Sequence, residues 1–173
     1  DDICGFKKTI PSSYIPGLID TLNIAWAADN NADPDDGGHL HGDFSPSSII
    51  ATRILRAPTN NIIYSFNWWV SDIYNIENDW GPRRAETPGE PFRTFEGYLG
   101  TPVTDKDKYY MMSHPEIDYD SRDTYRDHTE QGWLPPPDRA ASIASGAEIR
   151  YLLSFGPFNL DPGEAVPFTF AVV

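Results

Sequence analysis

Residues 60–72 read NNIIYSFNWWVSD, with Ile62, Tyr64, Phe66 and Trp68 on one parity and Ser65 and Asn67 between them. Successive side chains of a strand point to opposite faces, so an alternation rich in aromatic and β-branched residues predicts a β-strand. The Asn60-Asn61 pair before it is a turn signal. Immediately upstream, SSIIATRILRA (47–57) reads as a second strand. Only Pro58, Thr59 and the asparagines separate the two, which predicts a hairpin. Further upstream, LIDTLNIAWAA (18–28) sets Leu18, Asp20, Leu22, Ile24 and Trp26 on one parity and reads as the first core strand, apolar on at least one face. Residues 1–17, with Pro11, Pro16 and Gly17, read as an extended lead-in.

Downstream of the central strand, residues 73–106 carry repeated prolines and glycines and no sustained period. They read as a long excursion held by its own aromatics, Trp80, Phe92, Phe95 and Tyr98. DKYYMMSH (107–114) fits a strand, and PDRAASIASG (137–146) a short helix that starts at Pro137-Asp138 and stops at Gly146. AEIRYLLSF (147–155) and AVPFTFAVV (165–173) read as closing strands joined by GPFNLDPGE, with a turn at Asp161-Pro162-Gly163. The chain ends on Val173 inside an apolar strand, so that strand is either the last of a sheet or the point where a longer polypeptide is cut.

A length of 173 residues suits one domain with a real core, residues 1–173 together, and 5 Trp, 9 Tyr and 9 Phe supply large buried areas for it. The 16 prolines and 13 glycines argue against a helical bundle. The expected fold is therefore all-β, a β-sandwich of jelly-roll or immunoglobulin-like type with long loops and little helix. A net charge of −13 with no Lys/Arg stripe disfavours nucleic acid as a partner and attracts divalent cations. The single cysteine, Cys4, allows no internal disulfide; it is either an unpaired residue without a role or the partner of a thiol elsewhere. No apolar run approaches the roughly 18 residues a membrane span needs, and no signal sequence opens the chain.

Four groups of residues offer chemistry. In ADNNADPDDGGHLHGD (28–43), Asp29, Asn31, Asp33 and Asp35 alternate and Asp36 follows, a spacing that aims oxygen ligands at one calcium ion. Pro34 and the late glycines depart from an EF-hand loop, and plain turn-forming is the competing reading. His39 and His41 form an H-x-H pair that a strand puts on one face, with His114, His128 or a carboxylate as a third transition-metal ligand; ordinary surface histidines are the alternative. In HPEIDYD (114–120), Glu116, Asp118 and Asp120 share a side if extended, where they suit calcium, a glycosidase acid and base, or pairing with Arg122 and Arg126. Trp68 and Trp69 point to opposite faces of a strand, so one belongs to the core while the other, with Trp80, is either covered or a stacking platform for carbohydrate. No nucleophile elbow, cysteine-base pair or phosphate-binding glycine loop is present in the sequence.

The phrases DTLNIAWAADN, YSFNWWVSD, DWGPRR, LGTPVTDKDKYYMMSH, GWLPPP and IRYLLSFGPFNLDPGE running into FTFAVV together resemble a group of large, uncharacterised secreted or surface β-domain proteins of environmental bacteria. The resemblance covers most of residues 18–173. It implies an extracellular or cell-surface setting and further β-domains beyond Val173, and it brings no catalytic residues. The expected role is a structural or adhesive module, stabilised by calcium, that meets copies of itself, other surface proteins or glycans. A carbohydrate-binding module and a metal- or carboxylate-dependent polysaccharide hydrolase are the alternatives.

Overall fold

A computed structural model describes residues 2–29, 49–59, 61–70, 104–115, 117–123 and 140–173. The architecture is all-β, in two antiparallel sheets with short helices between strands. Strands β1 (Asp2–Pro11), β2 (Ile19–Asp29), β3 (Ile49–Arg56) and β6 (Thr169–Val172) form one sheet in the order β1-β2-β3-β6. Strands β4 (Tyr64–Val70) and β5 (Ile149–Phe155) form the other.

The lead-in is itself a strand of the larger sheet. β1 pairs with β2 from Asp2↔Asp29 to Pro11↔Ile19, with an irregularity between Lys7 and Thr9. Lys7, Lys8 and the acidic start gave this segment a polar composition, but pairing is a property of the backbone, and the Cys4 and Phe6 parity supplies the apolar face. The expected hairpin between residues 47–57 and 60–72 is absent. Both edges of β3 are taken, by β2 at Ile24↔Arg53 through Ala28↔Ile49 and by β6 at Thr52↔Val172 and Ile54↔Phe170. The chain leaves through Pro58 for the second sheet, where β4 pairs with β5 in unbroken register from Tyr64↔Phe155 to Val70↔Ile149. β5 and β6 likewise lie in different sheets, so Asp161-Pro162-Gly163 turns a crossover rather than a hairpin. The two crossovers run side by side, tied by the Gly156 N–H donating to the Ile63 carbonyl at 3.0 Å.

The sheets meet through aromatic side chains. Phe6 of β1 stands 5.8 Å from Phe66 of β4, Phe66 is 5.8 Å from Tyr151 of β5, and the hydroxyls of Tyr151 and Thr52 are hydrogen-bonded at 3.0 Å. Cys4, Ala25, Phe66, Trp68, Val70 and Ile143 form the buried cluster between them. Full burial of one such large side chain is worth about 1.5–3 kcal/mol, so this aromatic layer carries much of the stability.

The other face of β4 does not meet water either. Residues 107–114, which fit a strand by sequence, instead form the greater part of helix α1 (Asp105–Ser113) and the residue after it. The Tyr109-Tyr110 and Met111-Met112 pairs give no period of two, while Thr104 followed by Asp105 is a helix start. α1 lies over the polar face of β4. The Ser65 hydroxyl donates to the carbonyls of Met111 and Met112 at 3.2 and 3.3 Å, and the Asn67 amide donates to Met111 at 3.4 Å. A helix leaves its last four carbonyls without intrahelical donors, and here β4 supplies donors to two of them, Met111 and Met112. Met111 is buried in the same contact. The expected short helix near 137–146 is α2 (Ala140–Ser145), which drives Ile143 into the core and ends at Gly146 with φ of 128°. No described helix is long and apolar enough to cross a membrane.

Because Ser65 and Asn67 are donors to the end of α1, replacing Ser65 with Ala removes the donor to the Met112 carbonyl and leaves the buried Met111 carbonyl with only the longer Asn67 bond. Urea denaturation of Ser65→Ala is expected to show a loss of about 1–2 kcal/mol. An unchanged midpoint contradicts the capping role.

Candidate functional site

The sequence-selected residues that the structure brings together are Asp118, Asp120, Trp68 and Cys4. They meet along residues 117–121, an extended segment that runs between the free edges of the two sheets. Ile117 forms a parallel bridge with Phe66, and the Asp118 N–H donates to the Phe66 carbonyl at 2.9 Å. Beyond that point the side chains take over from the backbone. The Asp118 carboxylate accepts from the Trp68 N–H at 3.2 Å, and the Tyr119 carbonyl accepts from the Trp68 indole N–H at 2.8 Å. On the opposite side, Asp120 accepts from the Phe6 N–H at 3.1 Å and the Ser121 hydroxyl from the Cys4 N–H at 2.9 Å. Four donors of two different sheets thus end on four consecutive residues.

The fit is close enough to require glycine. A Cβ on Gly5 would overlap the Asp120 carboxylate and crowd the Trp26 ring. The expectation that Asp118 and Asp120 share a side describes their parity but not their partners, since one serves β4 and the other β1. Asp118 is 2% exposed and spends an oxygen on a backbone amide, an arrangement suited to holding structure rather than to moving protons in a cleft. Among the described residues no group of three or more His, Cys, Asp or Glu side chains is gathered to hold a metal.

Cys4 has no exposed surface and no disulfide partner. Burial pushes its thiol far above the ordinary 9.0, and the negative charges of Asp118 and Asp120 push the same way, against a smaller opposing effect of the Ser121 hydrogen bond. A thiol held neutral is a poor nucleophile and a poor metal ligand. Tyr64, at the far end of β4, is also raised above its ordinary 10.0, by burial first.

Trp68 has no exposed surface, packs edge-on against Tyr119 at 6.2 Å and is a core residue. A ring so enclosed has no face for a sugar. Trp69 is half-buried on the α1 side of the sheet, opposite Arg150. Asp29 ends β2 opposite Asp2. His114 follows α1 with its ring 5.2 Å from that of Tyr110. The positions of Asn31, Asp33, Asp35, Asp36, His39, His41, Trp80, Glu116 and His128 lie outside the described residues. Ser121 and Gly5 carry the site as much as the carboxylates do and were not singled out by sequence. Ser121 follows Asp120 directly and lies off the Asp118/Asp120 alternation, so that alternation does not point to it.

No protein-family model, curated protein or solved structure matches the chain.

Two outcomes follow from this geometry. Asp118→Ala leaves the buried Trp68 amide without an acceptor and is expected to cost about 3 kcal/mol in chemical denaturation, with Asp118→Asn losing less because an oxygen remains. Equal losses in the two variants contradict the acceptor role. Cys4 is expected to resist a thiol reagent in the native state and to react only once denaturant is added. A folded pKa above the unfolded one gives stability that is present below pH about 9 and lost as pH rises further, so the melting temperature should fall above pH 9, and fall less steeply in Cys4→Ala.

Proposed function

We propose that this chain is a non-enzymatic structural or adhesive β-module of the cell exterior, joined to neighbouring copies through the edge of β6. The observation that carries the reading is the contrast between the two edges of the larger sheet. β1 is guarded over Asp2–Phe6: Asp120 and Ser121 accept from the Phe6 and Cys4 N–H groups, and Asp2 and Ala147 form a two-way hydrogen-bonded bridge at 2.9 Å. β6 is the other edge strand, and no described strand lies beyond it. Its surroundings, AVPFTFAVV (165–173), contain no charge, and Phe168, Phe170, Val172 and Val173 are exposed. Edge strands are ordinarily blunted by Lys, bulges or covering segments, and an apolar one left open is a template for pairing with another chain.

The charge distribution supports the same choice. Copies carrying −13 repel over most of their surface, and an uncharged strand is where two of them approach without apposing carboxylates. The buried, hydrogen-bonded state of Asp118 and the enclosed Trp68 weigh against the hydrolase and sugar-platform readings. The resemblance to secreted and surface β-domain proteins supports the extracellular setting. Calcium, held by Asp29, Asn31, Asp33, Asp35 and Asp36, belongs to this reading as the ion that relieves acidic repulsion and orders the loop.

Sedimentation velocity is expected to show concentration-dependent self-association that Phe170→Lys abolishes while leaving the circular dichroism melt unchanged; a monomer at all concentrations contradicts the proposal. Millimolar calcium is expected to raise the melting temperature, and chelator to reverse it, by mass action on the folded state. A melt indifferent to both removes calcium from the account.

A further inference from the structure

The β1–β2 ribbon outruns its sheet. β2 pairs with β3 only over Ile24–Ala28 but stays paired with β1 as far as Pro11↔Ile19, so Thr9–Pro11 and Ile19–Thr21 form an arm with no described third strand beside it. The end of the arm is tightly built. The Ser12 N–H donates to the Leu18 carbonyl at 2.8 Å and the Leu18 N–H to the Ile15 carbonyl at 3.1 Å. The Ser12 hydroxyl accepts from the N–H groups of Tyr14 and Ile15 at 3.3 and 3.4 Å, and Gly17 supplies the left-handed residue, with φ of 82°. Backbone polar groups are turned inward while side chains are turned out. Tyr14 is 91% exposed, and Ile10, Ile15, Leu18 and Ile19 are exposed with it. No residue from Thr9 to Ile19 is charged. An isolated two-stranded ribbon is marginal in water, and a cluster of exposed aliphatic side chains at its tip marks a contact surface.

The root of the arm inverts the charge of the molecule. Lys7 and Lys8 lie in β1 just before the arm, and Lys7, Ile24 and Arg53 stand opposite one another across three strands. Arg53 also reaches the ribbon, donating to the Thr21 carbonyl at 3.2 Å, and Arg56 ends β3. Asp20 is the one acidic residue of the arm. In a chain with 26 acidic and 13 basic residues, four cations therefore stand behind an uncharged apolar knob.

A convex knob with a cationic collar suits a soft anionic surface. Aliphatic and tyrosyl side chains enter the headgroup region of a bilayer, and Lys and Arg behind them meet anionic headgroups with their stems laid along the interface. A tip-to-tip contact between two copies would bring Lys7, Lys8 and Arg53 against their own counterparts, which disfavours that occupant. We infer that the β1–β2 arm is a peripheral docking wedge for an anionic lipid bilayer, with Tyr14, Ile15 and Leu18 inserted and Lys7, Lys8, Arg53 and Arg56 facing the headgroups.

Co-sedimentation of the full chain with vesicles of phosphatidylglycerol and phosphatidylcholine, against phosphatidylcholine alone, tests this. The chain is expected to bind the anionic vesicles, to bind less as salt rises, and to lose about tenfold or more of its partition in Tyr14→Ser/Ile15→Ser/Leu18→Ser. Lys7→Glu/Lys8→Glu is expected to lose anionic binding as well. The substituted side chains are exposed, so both variants should keep the parent melt. Absence of binding to anionic vesicles overturns the inference, as does binding unaltered by the tip substitutions. Lipid-free dimerisation that disappears in the tip variant also overturns it, in favour of a second copy as the occupant.

Discussion

Two sheets can be held together by apolar packing alone, but each then keeps a free edge of unpaired donors and acceptors. The short run Asp118-Tyr119-Asp120-Ser121 resolves this by lending oxygens to both at once, to Trp68 on one side and to Cys4 and Phe6 on the other. An unpaired amide in a buried place costs about 1–3 kcal/mol, so three such amides together amount to a large part of an ordinary folding free energy. The clamp also fixes chemistry by position. It surrounds Cys4 with burial and negative charge and so removes the thiol from reactivity, and it admits no side chain at Gly5.

With the Asp2–Phe6 part of the β1 edge occupied and both faces of β4 covered, by the larger sheet and by α1, exposed apolar surface among the described residues collects elsewhere. It lies along β6, beyond which no described strand pairs, and at the tip of the β1–β2 arm, where the ribbon extends past its described neighbours. The described residues thus combine an interior closed by side-chain hydrogen bonds with two exposed apolar features. Their chemistry differs. One is a flat backbone edge that matches another strand, the other a convex knob backed by cations that matches an anionic surface.

Much of the element content was legible in the sequence. Period-two alternation marks β4 and β5, apolar and β-branched content marks β2 and β3 without settling which face is buried, and Pro137, Asp138 and Gly146 bracket α2. Pairing was not legible, since alternation determines which face a side chain takes and says nothing of which strand lies alongside. β3 and β4 looked like a hairpin because they are close in sequence, yet the neighbours of β3 come from residues 19–29 and 169–172. α1 was hidden by its aromatic and methionine content, and its stability comes from Ser65 and Asn67, more than 40 positions away in the chain. Asp118 and Asp120 stood out as carboxylates, but their role as backbone acceptors depends on long-range approach of two sheet edges, which no local pattern encodes.

Native-state hydrogen exchange of the backbone amides of Cys4, Phe6 and Trp68 tests the clamp most directly. If residues 118–121 hold both edges together, these three amides exchange as one slow class, with opening free energies close to that of global unfolding, although Cys4 and Phe6 belong to an edge strand. Exchange of the Cys4 and Phe6 amides as fast as that of Tyr14 at the arm's tip, while Trp68 stays protected, would contradict the account.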